Sequence, residues 1–206
     1  MHWTFVNIDM HSPIANHLQT ATNPLTSLIG KSLHEPISGK LEWIRISGTQ
    51  MIADYLITDA QLAWGAGIVK IGEVFTANGD YKAAAEEHIH EFYNYQEGTV
   101  LFKPTLTSEK QFRLDFDGAL SYFVGGNENY PEDHGFAIKP WSNVRWESVG
   151  TKITDHMAVA MGNYFFTPAE GGDDVKVEYS FGYTINADGK LKIILHGSHL
   201  PYNPAG

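Results

Sequence analysis

Two β-patterned runs near the C-terminus, joined by a short turn, constrain the fold of this chain more than any other feature. The first run, VKVEYSFGYTI (175–185), alternates apolar or aromatic residues with Lys, Glu and Ser. Asn-Ala-Asp-Gly (186–189) has turn composition, and KLKIILHGSH (190–199) returns the chain. The pattern predicts an antiparallel hairpin with one buried face. A lone hairpin is marginal in water, so the chain needs a larger sheet.

The remaining pattern places helices before most of the strands. Helix spacing and strong helix formers predict helices over 48–81 and 81–95, and a short helix over 115–126 that Asp115 and Asp117 begin. Strands are predicted at 99–105, 142–149 and 151–167. This order predicts an α+β domain in which a curved antiparallel sheet wraps around helices and leaves a cavity between them.

The domain is predicted to span residues 49–206. Residues 1–48 are punctuated by proline and rich in Ser, Thr, Asn and Gly, so they are predicted to form an irregular N-terminal extension. Short strands are predicted within it at 3–8 and 41–46. The start of the sequence lacks a basic segment followed by an apolar run, which predicts no signal peptide and favours a cytoplasmic location.

Charge and cysteine content exclude several classes of function. The chain has 206 residues and a formal net charge of -10, from 24 acidic and 14 basic residues. This balance argues against a nucleic-acid-binding or anionic-membrane surface, since both need clustered Lys and Arg. The absence of cysteine excludes disulfide scaffolds, cysteine zinc sites and thiol catalysis. No apolar run approaches the roughly 20 residues of a membrane span.

The histidines are candidates for a metal site, but their spacing disfavours one. His88 and His90 lie about 200° apart around a helix. His196 and His199 fall on opposite faces of a regular strand. His196 and Ser198 share a face, which suits a joint polar site. Alternatively, His196 and Ser198 are exposed to solvent and continue the face that carries Lys190 and Lys192. Spacing alone slightly favours this second interpretation.

Seven stretches, read in order, resemble one known family. They are GDYKAAAEEHI (79–89), VLFKPT (100–105), ALSYFVGGN (119–127), GFAIKPWSNVRWE (135–147), AMGNYFFT (160–167), VEYSFGYT (177–184) and HGSHLPY (196–202). Over about residues 50–204 they resemble the iota-class carbonic anhydrases, first met as limiting-CO2-inducible proteins. The resemblance implies a nuclear-transport-factor-2-like (SnoaL-like) cone, reversible hydration of CO2 to bicarbonate, and a homodimer.

The resemblance also implies a site without a metal or other cofactor, although some members of the family have been described as metal-dependent. Thr105, Tyr122 and Ser198 would hold the reactive water and the bicarbonate oxygens. His196 would orient this network or accept a proton. The implied small-molecule partners are CO2 and bicarbonate, with no nucleic acid and no membrane.

One departure from the family pattern keeps other functions open. The family motif commonly reads His-His-Ser-Ser before Leu-Pro, and here it reads His196-Gly197-Ser198-His199. The change favours metal-free action, and His199 is a candidate replacement imidazole. The alternative is a non-catalytic ligand-binding or assembly module of the same superfamily. A third reading, an isomerase or cyclase, would need a buried carboxylate such as Asp155 beside His156.

Overall fold

The computed structural model of the protein describes residues 51–204. The predicted extension over 1–48 and its two short strands lie outside the described residues. Three helices and five strands follow in the order α1 (Asp54–Thr76), α2 (Tyr81–Phe92), β1 (Leu101–Lys103), α3 (Phe116–Val124), β2 (Trp141–Ile153), β3 (Met157–Pro168), β4 (Val175–Ile185) and β5 (Leu191–His199). No helix in this described part of the chain is long and apolar enough to span a membrane.

Local capping chemistry starts the two shorter helices where the sequence predicts. Asp80 precedes α2, and its carboxylate accepts the backbone N–H of Ala83 at 3.0 Å. Asp115 precedes α3 and accepts the N–H of Gly118 at 2.8 Å. These bonds satisfy donors that the first turn of a helix leaves free. Gly125, with φ of 69°, ends α3 in a conformation that glycine adopts readily.

The long helix α1 presents one apolar stripe to the sheet. Its buried side chains recur every three or four residues, at Ile57, Gln61, Trp64, Ile68 and Ile71. The buried stripe ends near Ile71, since Phe75 further along the helix is 38% exposed. The stripe packs chiefly on β2 and α2, which places Trp64 against the interior of the sheet.

The sheet has the order β1-β5-β4-β3-β2 and is open rather than closed into a barrel. Neighbouring strands are antiparallel except β1, which runs parallel to β5, so the predicted antiparallel sheet is mixed at one edge. The predicted strand break at Gly150 is wrong. Gly150 sits at a register shift within β2, and the strand continues to Ile153 before turning into β3.

The inner face of the sheet is lined by aromatic side chains. Tyr164, Phe166, Tyr179, Phe181 and Tyr183 are each at most 2% exposed. They form ring contacts with Trp64 and with Phe136, which follows α3, so a layer of rings fills the space between sheet and helices. The predicted α+β arrangement of a curved sheet over helices is therefore confirmed. A polar group inside this layer is costly unless it finds a hydrogen-bond partner there.

Candidate active site

A bulge in β5 turns its last residues toward the interior. Gly182 on β4 pairs with Leu195, but Tyr183 pairs with Ile193, so Ile194 has no opposite residue. The extra residue changes which parity faces inward. His196 and Ser198 are consequently each 2% exposed, and the interpretation of their face as solvent-exposed is wrong. The structure places both side chains inside the aromatic layer.

Two phenyl rings hold the His196 imidazole. Phe102 on β1 stacks on it with a centroid separation of 4.6 Å, and Phe181 on β4 covers the other face at 4.2 Å. Both neighbours are the register partners of His196 on the adjacent strands. The ring can therefore make polar contacts only through its edge, where its two nitrogens lie.

Each nitrogen of His196 meets a tyrosine hydroxyl. Nδ1 lies 2.8 Å from Tyr93 Oη, and Nε2 lies 3.2 Å from Tyr164 Oη. Tyr93 reaches this position because α2 ends at Phe92 rather than at the predicted residue 95. The extended Tyr93 then bridges to Ile193. Neither tyrosine was predicted as part of the site.

From Tyr164 the polar contacts continue to the cavity. Its hydroxyl lies 2.5 Å from Ser198 Oγ, which is in turn hydrogen-bonded to Thr105 Oγ1. Thr105 follows β1, the strand that pairs with the end of β5. The structure thus joins three of the four predicted site residues, Thr105, Ser198 and His196, with Tyr164 as the link between the last two.

Trp64 sets the direction of the first hydrogen bond. Its indole Nε1–H, which can only donate, lies 3.1 Å from Tyr93 Oη. One arrangement continues this direction: Tyr93 donates to Nδ1 of His196, and the proton of the neutral ring lies on Nε2. Tyr164 then accepts from Nε2–H and donates to Ser198, and Ser198 donates to Thr105. In this arrangement the hydroxyl proton of Thr105 is available to a ligand or to Tyr122.

Burial keeps His196 neutral and its tyrosine partner protonated. Desolvation lowers the pKa of His196 from 6.5 to about 3, with small contributions from His88 and His199. Desolvation also raises the pKa of Tyr164 well above 10, against the opposing hydrogen bond from Ser198. A neutral imidazole with so low a pKa orients its neighbours but is a poor proton acceptor near pH 7. This favours the orienting role of the two predicted for His196.

Tyr122, the fourth predicted residue, lines the same cavity as Thr105. Its hydroxyl is buried beside Thr105 and Leu106 and makes no hydrogen bond of regular geometry among residues 51–204. Burial raises its pKa well above 10. A buried hydroxyl without a partner is costly, so Tyr122 is available to a ligand that supplies one.

Thr105 and Tyr122 both line a cavity of about 190 Å³. Its apolar walls come from Leu106, Phe136, Trp141, Val175, Val177 and Leu200, and its polar lining includes Glu132, Asp133, His134 and Lys139. An apolar wall beside a few convergent polar groups is typical of small-molecule sites. The cavity is large enough for CO2 or bicarbonate together with a water molecule.

A buried ion pair holds the loop that carries Thr105. Arg113, whose side chain is fully buried, places its guanidinium 2.7 Å from Asp133 Oδ1, and Ser121 donates to Oδ2 at 2.7 Å. Glu132 accepts the backbone N–H groups of Ser108, Glu109 and Lys110. These bonds, that of Ser108 foremost, lower the pKa of Glu132 to about 2. Sequence patterns gave no sign of this long-range cluster.

The altered residues of the C-terminal motif lie outside the site. His199 is exposed, and a side-chain carbon added at Gly197 would meet His199 Cε1 at 3.5 Å and Ser180 Cβ at 3.9 Å, which is ordinary contact. His199 does not line the cavity, so it is not a replacement imidazole there. The departure from the family motif leaves the buried residues of the site unchanged.

The other histidines follow the prediction in part. His196 and His199 face opposite sides of the sheet, and no cluster of three or more His, Asp or Glu side chains suited to a metal occurs among residues 51–204. His90 is exposed, whereas His88 is buried. Both nitrogens of His88 lack a hydrogen-bond partner within the described chain.

The carboxylate that an isomerase or cyclase would require is not at Asp155. Asp155 and His156 are exposed in the turn between β2 and β3. Asp133 does line the cavity, but Arg113 and Ser121 occupy its two oxygens. No feature of the described site therefore favours the isomerase or cyclase reading.

Comparison with known proteins identifies the carbonic anhydrase class that the sequence resembles. Residues 56–200 match the family model described as metal-independent carbonic anhydrase. The chain is 41% identical over 154 residues to a metal-independent carbonic anhydrase of Nostoc sp. (strain PCC 7120), covering 73% of this chain and 75% of that protein. It is also similar to the crystal structure of a cyanobacterial iota-carbonic anhydrase complexed with bicarbonate. That match has 38% identity, a TM-score of 0.73, and coverage of 77% and 98% of the two chains.

A structural likeness in fold extends further, to an NTF-2-like protein of unknown function from Shewanella oneidensis MR-1. It has 14% identity, a TM-score of 0.43, and coverage of 69% of this chain and 98% of that one. The fold resembles that of the cyanobacterial iota-carbonic anhydrase, which the chain matches with the higher TM-score of 0.73. The chain belongs to the metal-independent carbonic anhydrase family.

The buried histidines predict a pH dependence of stability. Desolvation lowers the pKa values of His88 and His196 from 6.5 to about 3. The unfolded chain binds protons at these sites as the pH falls below about 6.5, whereas the folded chain does not until near 3. Stability is therefore present above pH 6.5 and is lost on acidification, by about 1.4 kcal/mol per pH unit for each histidine.

Urea unfolding between about pH 6.5 and about pH 5 measures this slope. His88→Leu removes one titrating group, so the mean slope over this range is expected to fall by about 1 kcal/mol per pH unit. His156→Gln, at an exposed position, is the control and is expected to leave the slope unchanged. An unchanged slope in His88→Leu would contradict the burial-induced shift.

Proposed function

We propose that this chain catalyses the reversible hydration of CO2 to bicarbonate and a proton, without a metal. The observation that carries the proposal is the hydrogen-bond chain from Trp64 to Thr105, which ends at the cavity. Two hydroxyls, those of Thr105 and Tyr122, reach the same apolar cavity. The bicarbonate bound in the structure of the 38% identical relative supports the same substrate class here.

In this proposal the fixed hydroxyl of Thr105 stabilises charge as it develops. When water oxygen bonds to the carbon of CO2, negative charge grows on the CO2 oxygens. The chain through Ser198 points the Thr105 proton outward, so Thr105 donates to one of these oxygens without reorganisation. Donors placed in advance in a low-dielectric site are worth more than the same donors in water.

Tyr122 and the apolar walls would position the reactants. The Tyr122 hydroxyl, which makes no hydrogen bond of regular geometry within residues 51–204, can accept a hydrogen bond from the attacking water and orient its lone pair toward the carbon. Phe136, Trp141 and Val177 would hold apolar CO2 against it. Placing the two reactants in contact replaces part of the role that a metal plays in other enzymes, since proximity alone accounts for large rate effects.

The reaction is tested by oxygen-isotope exchange between labelled CO2 and water, followed by mass spectrometry. We expect the protein to accelerate label loss in proportion to its concentration, and Ser198→Ala to abolish most of this acceleration. If the wild-type protein binds bicarbonate but does not accelerate exchange, the chain is instead a ligand-binding module.

We also propose that the chain forms a homodimer through the outer face of the sheet. Four apolar side chains on the neighbouring strands β2 and β3 are 47–76% exposed, namely Val149, Met157, Val159 and Met161. Adjacent exposed apolar residues of this kind commonly mark an interface. A second copy of the same face would bury them in a symmetric contact.

The oligomeric state tests this interface directly. Val159→Lys combined with Met161→Lys is expected to convert a dimer into a monomer, because like charges would then face each other across the symmetry axis. Size-exclusion chromatography with light scattering gives the mass. Lys82→Glu on α2, an exposed charge away from β3, is the control and should leave the mass unchanged. A monomeric wild-type protein would contradict the proposal.

A further inference from the structure

CO2 hydration releases one proton for each bicarbonate formed, and the buried hydrogen-bond chain has no group that can hold it near pH 7. Desolvation lowers the pKa of His196 to about 3. It raises the pKa values of Tyr93, Tyr122 and Tyr164 well above their usual range, so these hydroxyls already carry their protons. Ser198 and Thr105 are alcohols bonded to each other. The proton must therefore leave through the cavity.

Most charged groups on the cavity wall are already engaged. The Glu132 carboxylate accepts the backbone N–H groups of Ser108 to Lys110 and has a pKa of about 2. Asp133 is bound by Arg113 through Oδ1 and by Ser121 through Oδ2. Lys139 lies over the Trp141 ring, and an ammonium group has no lone pair to accept a proton.

His134 differs from these groups. It lines the same cavity as Thr105 and Tyr122, and its residue is exposed to solvent. A neutral imidazole has a nitrogen lone pair that can accept a proton, and the imidazolium can later release it. His134 is the one histidine among the described residues that line the cavity, and it is also in contact with bulk water.

The backbone around His134 is tied to the helix that carries Tyr122. Phe136 N–H donates to the carbonyl of Tyr122 at 2.9 Å, and Ala137 N–H donates to that of Phe123 at 2.9 Å. Asp133 before it is held by Arg113. Gly135 adopts a φ of +80°, which glycine accommodates without strain and which turns the chain directly after His134. The imidazole is thus attached to a fixed point beside the reactive hydroxyls.

We propose that His134 is the proton-transfer residue of this enzyme, which carries the product proton between the cavity and the buffer. In the hydration direction the water oxygen bonds to the CO2 carbon, one C–O π pair moves to oxygen, and the water proton passes through cavity water to an imidazole nitrogen. The imidazolium then releases it to a buffer base. Dehydration uses the reverse transfer. The inference rests on the proposed CO2 hydration.

Stopped-flow CO2 hydration by His134→Gln, compared with the wild type in dilute buffer, tests the proposal. We expect kcat to fall about 10-fold or more while kcat/KM changes little, because the proton leaves after carbon–oxygen bond formation. Added imidazole buffer is expected to restore kcat of the variant toward wild type. His156→Gln, at an exposed turn outside the cavity, is the matched control and should keep wild-type kcat.

Two results would overturn the role of His134. One is a kcat for His134→Gln equal to wild type in dilute buffer. The other is a loss that imidazole does not restore, which would indicate a structural effect of the substitution. Ser198→Ala separates this proposal from the one on which it rests, since its activity should stay low at every imidazole concentration. If the wild-type protein itself is inactive, the proposed hydration fails rather than the assignment of His134.

Discussion

Replacing Ser198 by alanine is expected to lower kcat/KM for CO2 hydration by about 100- to 1000-fold, the usual cost of one preorganised donor at developing charge. Ser198 is the link between Tyr164, at 2.5 Å, and Thr105. Without it the Tyr164 hydroxyl loses its acceptor, and the Thr105 hydroxyl is no longer turned toward the cavity. Tyr122→Phe is expected to give a loss of similar size, since it removes the second hydroxyl that faces the cavity.

Ser180→Ala is the matched control for this prediction. Ser180 pairs with Gly197 across the β4–β5 ladder and lies on the opposite face of the sheet from Ser198. The same atom is deleted from a neighbouring strand, so kcat/KM should stay close to wild type. Circular dichroism and urea unfolding verify that each variant is folded. Ser198→Ala with nearly wild-type activity would show that the hydroxyl chain has no catalytic role.

Replacing Asp133 by alanine is expected to lower the free energy of unfolding by about 3–5 kcal/mol, because it leaves the buried Arg113 guanidinium without its counter-ion. Both side chains of this pair are fully buried, and their atoms lie 2.7 Å apart. The pair anchors the loop between Thr105 and Arg113 to the cavity wall. The variant is therefore also expected to lose activity, through misplacement of Thr105.

Two further variants separate the charge effect from general damage. Glu91→Gln breaks an exposed ion pair with Lys190, at 3.2 Å, and is expected to cost less than about 1 kcal/mol. Arg113→Met combined with Asp133→Leu removes both charges and should recover much of the lost stability. Urea unfolding measures all three. An Asp133→Ala midpoint equal to wild type would contradict the structural role of the pair.

The sequence predicted those elements whose signals are local. The start of α3 follows from Asp115 as a cap, and the β4–β5 hairpin follows from alternation around Asn-Ala-Asp-Gly. The break at Gly150 was misplaced, because a glycine within a strand can mark a bulge as well as a turn. Such alternatives depend on the partner strand, which local pattern does not reveal.

In the candidate site, too, local signals were predicted and contacts between distant strands were not. His196 and Ser198 were predicted to share a face, but the bulge at Ile194 decides which face, and a single extra residue leaves no compositional mark. Tyr164 lies in a stretch that carried the family resemblance, yet its role depends on register across three strands. Trp64 and Tyr93 join the site through contacts between distant elements. The only sequence signal for these residues was that Trp, Tyr and His, whose rings carry polar groups, occur within otherwise apolar stretches.

The central claim is that a chain of buried hydroxyls and a neutral imidazole supports CO2 hydration without a metal. The most direct test is the stopped-flow hydration rate of protein dialysed against a strong chelator, with the metal content of the same sample measured. We expect the full wild-type rate at a metal content far below one ion per chain, and its loss in Ser198→Ala. A rate that disappears on chelation and returns with an added divalent ion would contradict the account.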